Sequence, residues 1–129
     1  AFSSSAELRN SFWSLRTGFN INRVALAGAV AALDDVDYLA NTLKTVIAER
    51  ERLADGLTAL GFVPCESQAN FLMARSIGPA DRFVAALAAQ NIMISSLPWP
   101  DADGCLRIGI GQPEDTDAVL AALKTELGT

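Results

Sequence analysis

Apolar residues recur every three or four positions through residues 1–60 and then largely at alternate positions in short runs, so the chain changes period once. Leu8, Phe12 and Leu15 step along one helical face behind Ser4 and Glu7 in capping-box spacing, and Gly18 closes that helix. Asn20 or Asn22 is placed to cap a second helix reaching about Leu33, crowded with Ala25, Ala27, Gly28, Ala29, Ala31 and Ala32. So many small residues suit either close packing on another surface or a plain alanine-rich core helix. Asp34 or Asp35 precedes a third, longer helix from near Val36. Its Leu39, Leu43, Val46, Leu53, Leu57 and Leu60 keep helical spacing apart from a gap at Arg50, and Gly61 suits its C′ position. The charged run Glu49, Arg50, Glu51, Arg52 and Asp55 reads as a solvated face with local pairing.

From Phe62 the pattern is that of strands and turns. Phe62-Val63 is a short run stopped by Pro64, Asn70 to Arg75 reads as a strand, and Gly78-Pro79 opens a helix with Phe83, Val84 and Leu87 inward. Asn91 suits the end of that helix, and Ile92 to Leu97 read as a further strand. Pro98-Trp99-Pro100 through Asp103-Gly104 make a turn-rich loop. The expected fold class is α+β: N-terminal helices over residues 1–60, then strand–helix–strand–strand–helix over 61–129. The second part would form a small sheet of three or four mainly antiparallel strands with helices on one face. The whole, 1–129, is expected to be a single domain.

The most informative run is GCLRIGIGQPEDTDAVLAAL, residues 104–123, which reads as strand, tight turn and helix. Alternation puts Leu106, Ile108 and Ile110 on one face of the strand and Cys105, Arg107, Gly109 and Gly111 on the other. One face is wholly apolar; the other offers a single guanidinium among residues of little bulk. Glycine in a strand often marks a place where a ligand or another backbone comes close. Arg107 beside such positions could offer an anion a planar fork of donors, with its strand central or next to centre in the sheet. A structural or salt-bridged arginine is the plainer account of such a residue, since these far outnumber ligand anchors. Pro113 suits the first helical position, and Glu114 and Asp115 suit the positive end of the helix dipole.

Composition narrows the chemistry. The chain has 129 residues, half of them hydrophobic, and a formal net charge of −5; its mean hydropathy is +0.25. That length and content fit one folded core and argue against disorder. The acidic balance argues against nucleic acid and anionic membranes as partners, and no apolar run approaches a membrane span. Two cysteines, Cys65 and Cys105, make neither a disulfide framework nor a zinc site, so no metal is expected and a cytoplasmic setting is. Histidine is absent, and the two lysines, Lys44 and Lys124, both fall on helices with polar neighbours. No catalytic residue is assigned.

The motifs taken together say more than any one of them. FNINRVALAGAVAAL at 19–33, VIAERERLADGLTALGF at 46–62, SQANFLMAR at 67–75 and LRIGIGQPEDTDAVLAAL at 106–123 follow in order. In this the chain resembles the C-terminal small domain of fold-type-I pyridoxal-phosphate-dependent aminotransferases, and within them the histidinol-phosphate aminotransferase group. The resemblance covers nearly the whole chain. It implies that Arg107, the arginine of the LRI motif, binds the substrate's carboxylate or phosphate. It implies that Asn70 orders the entry to its strand, while Phe19 and Asn20 lie toward the mouth of the site. The Schiff-base lysine and the cofactor's other partners belong to a large domain upstream, so this chain alone is expected to bind no pyridoxal phosphate and to be inactive. The parent would be a cytoplasmic homodimer of amino acid biosynthesis, transferring an amino group from an amino acid or phosphorylated amino substrate to a keto acid or phosphorylated aldehyde. One position departs: such enzymes commonly carry an arginine where this chain has Ser95, followed by Ser96, which points toward an amino acid carboxylate or toward a second cation supplied from elsewhere. A free-standing ligand-binding or dimerisation module without catalytic activity is the alternative.

Overall fold

The computed structural model describes residues 5–15, 21–98 and 104–128. Helical spacing before residue 60 produces three helices, α1 (Ala6–Leu15), α2 (Arg23–Asp34) and α3 (Val36–Ala59). The backbone N–H of Leu8 donates to Ser5 Oγ at 3.3 Å, so Ser5 caps α1; Ser4, Gly18, Phe19 and Asn20 lie outside the described residues. Asn22 caps α2, its Oδ1 accepting from the Ala25 N–H at 2.8 Å. Gly61, with φ +89°, takes the left-handed conformation that ends α3, and the Phe62 N–H reaches back to the Leu57 carbonyl at 3.0 Å.

The chain divides into two compact units, Ala1–Asp37 and Tyr38–Thr129, so most of α3 belongs with the sheet. In the first unit no residue of α1 or α2 is buried, and Phe12, Val24 and Leu33 are exposed.

The second unit adds β1 (Val63–Pro64), β2 (Phe71–Arg75), α4 (Ala80–Ala88), β3 (Ser95–Leu97), β4 (Cys105–Gly109) and α5 (Pro113–Leu127). The strands form an antiparallel sheet in the order β1-β2-β4-β3, so the Arg107 strand is central, as expected. Pro64 does not stop the first strand but belongs to it. This strand lies at the sheet edge, where a residue without an N–H is tolerated. The expected strand Ile92–Leu97 shortens to Ser95–Leu97. Asn91 adopts φ +61° after α4, and the Ile92 and Ile94 side chains then turn onto the core.

Leu72 and Ala74 of β2 and Leu106 and Ile108 of β4 point to the helices and are buried. They pack with Leu53 and Leu57 of α3, Phe83 and Leu87 of α4, and Val119, Ala122 and Leu123 of α5. Phe62 meets Phe83 edge-on with ring centroids 5.1 Å apart. Gly56 brings α3 close to α5, since a Cβ there would lie 2.5 Å from a Leu120 methyl. Within this unit α3, α4 and α5 thus cover one face of the sheet, and the face carrying Arg107 is the other.

Candidate functional site

Residues directly opposite in an antiparallel ladder share a face, so the register defines what surrounds Arg107. Met73 of β2 stands opposite it on one side and Ser95 of β3 on the other. Phe71 is paired with Gly109, Arg75 and Leu97 with Cys105. The guanidinium is exposed and lies over the Phe71 ring, 4.2 Å from its centroid. Among the described residues it has no hydrogen-bond or ion-pair partner. This is a cation held on an aromatic face with every N–H still available.

The bare shelf expected from the sequence is corrected in three places. Phe71 and Met73, both half-buried, bring bulk from the neighbouring strand, which alternation within one strand does not reveal. Cys105 is fully buried although it shares the parity of Arg107, and burial pushes its thiol above the ordinary range, away from nucleophilic use. Gly111 lies beyond the strand and is small for a different reason: a Cβ there would fall 2.2 Å from Asp115 Oδ2. That carboxylate accepts from the Gln112 N–H at 2.8 Å in a capping box that opens α5 behind Pro113. Gly109 does fit the expectation, with nothing within 4 Å of an added Cβ.

The charged run on α3, which the sequence suggested was solvated, holds the site from behind. Glu49 is only 7 % exposed. Its Oε2 accepts from Arg52 Nε at 3.0 Å and Nη2 at 2.7 Å. The Arg52 guanidinium, then the Thr116 hydroxyl, hold the Glu49 carboxyl below the usual carboxylate range. Arg52 also bonds Asp117 and the Pro113 carbonyl, fastening the first turn of α5 just after β4. Arg50 fills the gap in the apolar spacing by donating to the Ala69 carbonyl at 3.0 Å, which steadies the entry to β2. Ser67 Oγ donates to the Phe71 carbonyl at 2.7 Å and accepts from the Ala69 N–H at 3.1 Å. The Asn70 carbonyl accepts from the Ile110 N–H at 2.9 Å. The backbone on both sides of the Arg107–Phe71 pair is therefore tied down.

Comparison with known proteins meets this geometry from outside. The family described as aminotransferase class I and II matches residues 1–123. The chain belongs to the class I and II aminotransferase family. It is 43 % identical over 117 residues to a histidinol-phosphate aminotransferase of Roseiflexus castenholzii, covering 87 % of this chain and 32 % of that protein. It is 41 % identical over 124 residues to histidinol-phosphate aminotransferase 2 of Caulobacter vibrioides, covering 96 % and 32 %. Among solved structures, a histidinol-phosphate aminotransferase from Sinorhizobium meliloti in complex with pyridoxal-5'-phosphate superposes with a TM-score of 0.75 at 26 % identity, covering 92 % of this chain and 34 % of that one. The chain thus spans about a third of the length of these aminotransferases.

The family is pyridoxal-phosphate-dependent. Lys44 and Lys124 are both exposed. The groove beside Lys124 is lined by Ala59, Leu60 and Leu127, which offer neither donors for a phosphate nor an acid for a ring nitrogen. The residues that face Arg107 across the ladder, Met73 and Ser95, and the Phe71 ring beneath it include no lysine.

Proposed function

We propose that this chain is the C-terminal, substrate-clamping part of a histidinol-phosphate aminotransferase-like enzyme, and that Arg107 anchors the substrate's anionic group. The observation that carries the proposal is the Arg107 guanidinium: exposed, centrally placed and without an acid partner among the described residues. A structural arginine would normally be matched to an acid or a carbonyl, as Arg52 and Arg82 are here. Family membership supports the same reading, because the relatives it matches transfer amino groups by name.

In this account Arg107 binds and orients and does not move a proton. The whole enzyme would transfer an amino group to a keto acid or phosphorylated aldehyde, with a pyridoxal phosphate held by the preceding large domain, as a homodimer. Ser95, opposite Arg107, supplies a hydroxyl and no second charge, which favours a carboxylate, or a phosphate whose second cation comes from elsewhere. The 129-residue chain by itself would neither retain the cofactor nor transaminate.

The test compares this chain with the full-length polypeptide. Each is mixed with pyridoxal phosphate, passed through gel filtration and assayed for amino transfer. Cofactor absorbance and activity are expected with the full-length protein only. A cofactor band retained by residues 1–129 would overturn the division of labour. A full-length protein lacking both would restore the reading as a binding module.

A further inference from the structure

We infer that Phe71 is the positioning residue for the Arg107 guanidinium, holding the cation over its ring while leaving its N–H groups to an incoming anion. This rests on the reading of Arg107 as the anion anchor. An arginine side chain on an open sheet face has many rotamers, and an anion that binds it must first select one. An acidic neighbour would also restrain it, but would engage the same donors and oppose the charge of the ligand. An aromatic face restrains it differently. The guanidinium carbon lies 4.2 Å from the Phe71 centroid, well within cation–π reach. Stacking uses the flat face of the cation, whereas its hydrogen-bond donors lie in the plane and point away.

The support beneath the ring is itself fixed. Phe71 sits diagonally from Arg107, with Gly109 directly opposite it in the ladder. Its carbonyl takes the Ser67 hydroxyl, and the neighbouring Asn70 carbonyl takes the Ile110 N–H. The ring is therefore attached to backbone that is tied both to its own loop and to the Arg107 strand. The inferred arrangement serves any compact anion, whether carboxylate or phosphate.

The experiment uses the full-length enzyme loaded with its cofactor and titrated calorimetrically with acetate and, separately, with inorganic phosphate. Phe71→Leu and Phe71→Met keep apolar bulk without the aromatic face; Phe71→Tyr keeps the face. Loss of saturable binding is expected in Arg107→Ala. Affinity about three- to tenfold weaker is expected in the Leu and Met variants, with Tyr within about twofold of the parent. The two titrants separate a carboxylate from a phosphate as the source of the anion, and Arg107-dependent, ring-dependent binding of either supports the inference. If Arg107→Ala loses binding while Leu and Met do not, the anchor stands and the role of Phe71 is overturned. Weakening by Tyr equal to that by Leu would also overturn it, since packing and not the ring face would then be the cause. If Arg107→Ala binds like the parent, the anchor reading fails and the inference with it.

Discussion

A methyl group added at Gly111 would sit 2.2 Å from Asp115 Oδ2, while one added at Gly109 would meet nothing within 4 Å. Gly111→Ala is therefore expected to disturb the capping box of α5 and lower stability by about 1 kcal/mol. Gly109→Ala should stay within about 0.5 kcal/mol of the parent. Thermal unfolding of the two variants in the full-length protein checks both. The sequence distinguishes neither glycine from the other, because their difference lies in a side chain that reaches back from the following helix. Arg107 was legible because alternation within one strand is enough to put it opposite Leu106 and Ile108. Phe71 was not, although its motif was in view. Seating it under Arg107 needs the register between β2 and β4, and register is set by pairing across the intervening residues 76–104, which local pattern does not encode.

At the scale of elements, α3 shows what helical periodicity can and cannot give. Its length and apolar face were readable, but the burial of Glu49 was not, since that depends on Arg52 meeting Pro113 and Asp117, 61 and 65 residues further along. The Glu49 carboxyl is lowered by Arg52 and Thr116. A group lowered on folding contributes stability that is present above its unfolded value, about 4.3 for a glutamate, and is lost as pH falls through the lower folded value. Glu49→Gln should therefore show a shallower loss of stability on acidification below about pH 4.3, measured by denaturant unfolding across pH. A profile parallel to the parent would show that the Glu49–Arg52 pair contributes nothing to stability. The shortening of the third strand has a similar cause: Ile92 and Ile94 have strand-like composition, but the core takes their side chains before the chain reaches β3.

For the whole molecule, the helices-then-sheet layout followed from the change of period, but the expected strand–helix–strand–strand–helix order lacks one strand, since β1 and β2 both precede α4. The division near Asp37 did not follow from the pattern, because the apolar spacing of α3 runs on without interruption past it. The chain's share of its relatives' length, about a third, sets the frame for function: the proposed part is an anion anchor, Arg107, on an open sheet face. The most direct test is the kcat/KM for amino transfer by the full-length enzyme, measured with L-histidinol phosphate and with L-glutamate, in the parent and in Arg107→Ala. Loss of charged hydrogen bonds worth about 1.5–3 kcal/mol each should lower the value about tenfold to a hundredfold for the substrate whose anion Arg107 holds. Values unchanged for both substrates would contradict the assignment of Arg107 as the anchor.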